Sequence, residues 1–267
     1  MPESIGSFAG RAALAACLTL TIAARVFAQQ PLATPPTSAE FMSRFDFHLS
    51  AAGLSDPDRR FSWDTHWGGD FDFVDYVHGR LNFFADYEVV LGDEFRKFDP
   101  NQGNYTLAVS GSARVGGTEL TGVLHHVSRH LSDRPNRVAV AYNALELRLM
   151  RYLEFGKQTL ALRLEGGPVI ARAFVDYVGM AVYDSTLRRR VSPHTGVYGR
   201  VSADYYAVDP DVAGRSNQSG ARVEAGVRLT GKRGALDLFG GYEKVVDAHP
   251  LDRQSREWAF AGFRLVN

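Results

Sequence analysis

The segment Thr121–Leu149 reads TGVLHHVSRHLSDRPNRVAVAYNALELRL and sets His125, His126, Ser128, His130 and Asn143 among apolar residues. These are residue types that do acyl-transfer chemistry together. A serine hydroxyl attacks a carbonyl only once a base takes its proton, and histidine is the usual base. The histidine in turn needs a third group to fix its tautomer and steady the imidazolium. An asparagine carbonyl does this without setting a formal charge against hydrocarbon, where a carboxylate is costly.

Whether these groups meet depends on the strands that carry them. Read as two antiparallel strands, residues 118–130 put Leu120, Gly122, Leu124, His126, Ser128 and His130 on one face. Residues 138–153 put Ala139, Ala141, Asn143, Leu145, Leu147 and Leu149 on one face. Glu119, His125, Glu146 and Arg148 fall on the opposite, polar faces. A hairpin centred on Pro135-Asn136 sets Ser128 opposite Asn143, and a shift of one pair sets His126 there instead. Opposed Cβ atoms stand about 4.5–5.5 Å apart. His126, Ser128 and Asn143 are therefore the candidate base, nucleophile and orienting group. The competing reading is that they are headgroup-level polar residues with no chemistry, because His-x-Ser alone is a common tripeptide. A zinc site does not suit the pattern: His126 and His130 lie about 13 Å apart along an extended strand, and His125 faces the other way.

The same alternation runs through the chain beyond residue 43. Leu81, Phe83, Ala85, Tyr87 and Val89 oppose Asn82, Asp86 and Glu88, and Ala221, Val223, Ala225, Val227 and Leu229 oppose Arg222, Glu224 and Arg228. Short turns (His78-Gly79, Gly116-Gly117, Phe155-Gly156, and the segment 231–234) alternate with longer polar loops near 53–62, 92–103, 131–137, 208–218 and 248–255. Short turns at one end and long loops at the other distinguish a transmembrane barrel from a soluble sandwich. The expected fold is all-β: an antiparallel transmembrane β-barrel of twelve strands, at 44–52, 63–76, 80–91, 104–114, 118–130, 138–153, 158–168, 175–185, 194–206, 219–230, 235–247 and 256–266. Ten strands are the alternative, because alternation is weakest over Ala171–Pro193. Aromatics near strand ends (Trp63, Trp67, Tyr105, Tyr152, Tyr177, Tyr205, Tyr206, Trp258) suit interfacial girdles.

Residues 1–28 read as a secretory signal peptide, with Arg11 before the apolar run Ala12–Ala24 and small residues at Val26-Phe27-Ala28. Leu14-Ala15-Ala16-Cys17 also has the form of a lipobox, but cleavage there would leave an apolar run on the mature chain. Residues 29–43 form a Pro-rich leader, and 44–267 the barrel. Lys+Arg 30 balance Asp+Glu 30, which gives no footprint for nucleic acid, and one cysteine excludes an internal disulfide. A signal peptide with a barrel directs the chain to the bacterial outer membrane, among its lipids.

His126-Val127-Ser128-Arg129-His130-Leu131-Ser132-Asp133, followed by Tyr142-Asn143, resembles the active-site hairpin of outer membrane phospholipase A, with His-x-Ser, a Ser-Asp loop and an aromatic-Asn pair. The hairpin is closer still to an uncharacterised family of outer-membrane barrels reading H-x-S-S-H-L-x-D. It departs from the phospholipases in carrying Arg129-His130 where Asn-Gly usually follows the serine, and in a longer span from Ser128 to Asn143. Lipid A deacylases share His-x-Ser but use a Glu third member, and Glu146 here is on the inner face. The phospholipase resemblance implies a twelve-stranded barrel with a Ser-His-Asn triad on its lipid-facing wall, phospholipid hydrolysis, calcium near Ser132 and Asp133, and activation by homodimerisation. The alternative is a non-catalytic barrel, structural or a narrow pore, whose interior charges form a plug or line a channel.

Overall fold

In the computed structural model, which describes residues 35–132, 138, 140–212 and 214–267, the chain forms twelve strands in one closed antiparallel barrel. They are β1 (Glu40–Leu54), β2 (Trp63–Asp75), β3 (Arg80–Gly92), β4 (Asp99–Val115), β5 (Thr118–Leu131), β6 (Val140–Phe155), β7 (Gln158–Ala173), β8 (Tyr177–Arg190), β9 (Thr195–Val208), β10 (Gln218–Thr230), β11 (Ala235–Val245) and β12 (Arg256–Val266). Each strand pairs with its sequence neighbours, and β1 closes on β12 from His48↔Val266 to Leu54↔Phe260. The Asn267 side chain adds a hydrogen bond to the Phe45 carbonyl at that seam (3.4 Å). The expected signal peptide 1–28, residues 29–34 of the leader and Asp133 lie outside the described residues.

Alternation sorts the two faces. Outward leucines such as Leu124, Leu145, Leu147 and Leu164 are more than half exposed, forming the apolar wall that a lipid-facing surface requires. Inward positions are polar and buried. Arg80 bonds Glu119 (2.8 and 3.0 Å) and Asp72 (3.1 Å). Arg148 and Arg163 converge on Glu165 (2.7 and 3.2 Å). Glu224 accepts from Arg264 (3.0 Å), Arg222 (2.7 Å) and the Tyr198 hydroxyl (2.8 Å). Inside the barrel a small cavity of about 10 Å³, room for one water, lies among Phe84, His125, Glu146 and Met180. The interior charges are thus paired with one another along the lumen.

Strand ends differ from expectation where burial overrides local pattern. β1 begins at Glu40, within the stretch read as leader. β4 begins at Asp99 rather than 104, because Asp99, Asn101 and Gln102 face inward and are buried, and Gln102 donates to the Ala248 carbonyl (3.0 Å) of the loop 246–255. β7 runs on to Ala173 through a bulge at Ile170. Among the expected girdle aromatics, Trp63, Trp67, Tyr105 and Tyr205 do face outward, but Tyr152, Tyr177, Tyr206 and Trp258 are inside, where the Trp258 indole donates to Glu243 (2.6 Å) and Tyr177 stacks on Tyr206. Register, not nearness to a strand end, decides the side.

Two outcomes follow. Glu224→Gln removes the carboxylate that Arg222 and Arg264 share and leaves them Glu243 (2.8 Å) and Asp237 (3.5 Å), at a cost of about 1.5–3 kcal/mol; denaturant unfolding from lipid vesicles should show that loss, and a change under about 0.5 kcal/mol would refute the pairing. In the loop 55–62, the hydrogen bond from Arg60 lowers the Asp58 carboxyl from 3.8 to about 2, and Arg256 at the top of β12 bonds it as well (2.6 Å). A depressed carboxyl stabilises the loop above its unfolded pKa and loses that contribution as pH falls through the folded value. Amide-exchange protection of residues 55–62 should hold down to about pH 4 and fall between there and about pH 2; protection that does not change over that window would contradict it.

Candidate functional site

β5 and β6 pair with His126 opposite Asn143 and Ser128 opposite Ala141, the second of the two registers open to the sequence. His126 Nδ1 donates to Asn143 Oδ1 at 2.6 Å. Ser128 Oγ lies 2.8 Å from His130 Nε2, a hydrogen bond with the other histidine on its face whose direction follows the imidazole's tautomer. The structure thus joins His126 to Asn143 and Ser128 to His130, with Ser128 between the two imidazoles along the strand. Residues two apart on one face are separated by about 6.6 Å, so either ring is within reach of a rotated serine hydroxyl.

All four residues are on the outer wall. His126, Ser128 and Asn143 are half-buried and His130 is exposed. Their neighbours on β4 are Leu107 opposite His126, Tyr105 opposite Ser128 and Gly103 opposite His130. Trp67, Tyr87, Tyr105 and Ser128 follow one another in register from β2 to β5. Trp67 and Tyr87 rings lie 5.8 Å apart, Tyr87 and Tyr105 4.7 Å, and Tyr105 meets His130 edge-on at 5.6 Å. A row of outward aromatics suits the membrane interface, and Ser128 lies in register with that row, with Leu124 and Leu145 further along the wall.

Two local features shape β6 at this point. The register of β6 on β7 shifts between Asn143/Ala144, where Ile170 is the extra residue; such bulges re-aim side chains. Gly167 passes so close to β6 that a Cβ there would sit 2.0 Å from the Leu145 carbonyl oxygen, and glycine alone permits that approach.

The inner faces of the same strands are separate from the wall. His125 Nδ1 lies 3.2 Å from Glu146 Oε2 inside the barrel. Arg129 points inward and donates to the Asp247 (2.6 Å) and Ala248 (3.2 Å) carbonyls, tying the hairpin to the loop 246–255. For calcium, the described residues offer Ser132, whose amide donates to the Asn101 carbonyl (3.0 Å). Calcium takes six to eight oxygens including carboxylates, so Ser132 alone does not make a site, and Asp133 is not among the described residues. His130 and Tyr105 were not expected as partners of Ser128. The signal for His130 was present, since it has the same two-residue spacing from Ser128 as His126.

Closed twelve-stranded topology, an apolar outer wall and a polar interior define an outer-membrane β-barrel. Comparison with solved structures supports that class. The fold is similar to outer membrane phospholipase A from Escherichia coli, with a TM-score of 0.52 and 10% identity over 85% of this chain and 93% of that one. It is equally similar to the Salmonella typhi outer membrane phospholipase dimer with bound calcium, at 0.52 and 11% identity over 85% and 91%. No family model and no curated protein matches the chain.

Outward placement has a direct check. In a Cys17→Ser background, Val127→Cys and Ser128→Cys are labelled with a fluorophore in vesicles that carry a shallow lipid-bound quencher. Position 128 should be quenched strongly and 127 weakly; equal quenching would contradict the facing.

Proposed function

We propose that the protein is a lipid acyl hydrolase of the bacterial outer membrane that works from its lipid-facing wall. The observation that carries this is the His126–Asn143 hydrogen bond, two register positions from Ser128 at the aromatic interface row. With Nδ1 engaged, Nε2 is the nitrogen of His126 left to act as base. Ser128 Oγ, turned about χ1 from His130 to His126, attacks the ester carbonyl of a membrane lipid as its proton passes to His126 Nε2. The tetrahedral intermediate expels the alcohol, which takes that proton, and leaves an acyl-serine. Water deprotonated by the same imidazole then releases the fatty acid. Asn143 is a positioning residue that steadies the imidazolium. His126 is preferred to His130 as base because, among the described residues, His130 has the Tyr105 ring beside it but no amide or carboxylate on its second nitrogen.

A site open on a flat wall is completed by a second barrel, so a homodimer across the Leu124 and Leu145 face is part of the reading. The bound calcium named for the Salmonella typhi neighbour supports testing calcium, with Ser132 and Asp133 as its place here, and no chemical step runs through it. The competing reading is a non-catalytic barrel, structural or a narrow pore, with paired interior charges such as Arg148–Glu165 (2.7 Å) as its plug or lining.

The test uses purified barrel in detergent and a phospholipid carrying a reporter ester, with and without calcium and a dimerising cross-link. Ser128→Ala should reduce release to background and His126→Ala by about 10²–10⁴-fold. Asn143→Ala should cost less and displace the pH optimum, and His130→Ala less than about tenfold. Release retained by Ser128→Ala, or absent from the parent chain under every condition, leaves the non-catalytic barrel. A His130→Ala loss equal to that of His126→Ala reverses the choice of base.

A further inference from the structure

Inside the barrel, on the wall formed by β1 to β3, two imidazoles, His48 and His66, stand beside the carboxylate of Asp86. Asp64 and His66 of β2 and Glu88 of β3 each offer one ligand atom, and the three atoms lie within 4.8 Å of one another. His66 and Glu88 are directly opposed in register, and Asp64 is the next inward residue on β2. We propose that these three side chains form a binding site for a divalent transition-metal ion of the zinc type.

Three observations support it. The donor set, one imidazole nitrogen and two carboxylate oxygens, suits such ions. Donors around a common ion at about 2.0–2.2 Å stand roughly 3–4.3 Å apart, so small rotamer adjustments close the set. The outer shell is already built. His66 Nδ1 donates to Asp86 Oδ2 (2.8 Å), which directs Nε2 to the cluster, where it stands 3.3 Å from Asp64 Oδ2. Asp86 is held in turn by His48 Nε2 (2.8 Å). On the other ligand, Asn104 Nδ2 donates to Glu88 Oε2 (2.8 Å) and fixes that carboxylate. A carboxylate behind the ligating histidine and an amide behind the ligating carboxylate are the arrangement that orients metal ligands. A cavity of about 140 Å³ beneath the outer loops is lined by Glu88 and Asn104, so one of the three ligands borders it. The site is in the lumen, whereas Ser128 and His126 face the opposite side of the sheet, so it is independent of the proposed hydrolase.

The experiment is zinc chloride titration by calorimetry on the full folded barrel in detergent after EDTA treatment, with thermal unfolding and cobalt(II) absorption as second readouts. The expected result is one zinc per barrel, a rise in unfolding temperature and a cobalt ligand-field band. His66→Ala should abolish all three. Asp86→Asn should weaken binding by about 10–100-fold. Glu88→Gln preserves shape and serves if His66→Ala does not fold; it too should lose the ion. The pair His126→Ala and His130→Ala on the outer wall should leave zinc binding unchanged. No saturable zinc binding by the parent barrel, or binding undiminished in both His66→Ala and Glu88→Gln, overturns the proposal.

Discussion

The pairing of β1 with β12 is the constraint on which the molecule depends. Hydrocarbon offers no partner to a free N–H or C=O, so a strand sheet in a membrane must close on itself. Closure gives every strand one face toward lipid and one toward the lumen, and the period of two leaves a side chain no third choice. The charges of Arg80, Glu119, Glu165 and Glu224 then have to find partners inside, and they do so at hydrogen-bond distance. The same rule sends His126, Ser128 and Asn143 outward, against the general cost of polar groups there. The wall site and the lumen are two chemical environments separated by one layer of backbone.

That separation bears on function. A nucleophile on the outer wall gains from an ion-paired interior, because the strands that carry Ser128 and Asn143 are held from within. Arg129 illustrates the link: its neighbour Ser128 faces lipid while its guanidinium grips the loop 246–255 from within. An orienting amide on His126, rather than a carboxylate, is what a low-dielectric wall favours.

Most of the architecture was legible in the sequence because alternation and turn asymmetry are properties of single residues in order. All twelve strands fall close to their expected positions. The ends were less legible. Gly166, Gly167 and Pro168 interrupt alternation in β7, and the bulge at Ile170 resets its phase, so the strand reads shorter than it is. Asp99, Asn101 and Gln102 look like loop residues until the loop 246–255 covers them. Trp258 and Tyr177 look like girdle residues until register turns them inward. At the site, residue types and faces were readable, but the register depended on the hairpin centre, and two placements were open. Which imidazole holds Ser128 is a rotamer choice between two equally spaced histidines, and no residue pattern encodes it.

The central claim is that Ser128 is an activated nucleophile exposed to lipid. Reaction of the folded barrel with a long-chain fluorophosphonate, followed by peptide mass spectrometry, tests it most directly. The account predicts one adduct per chain on Ser128, lost when His126 is replaced by alanine. Absence of an adduct, or modification elsewhere with Ser128 untouched, would contradict it.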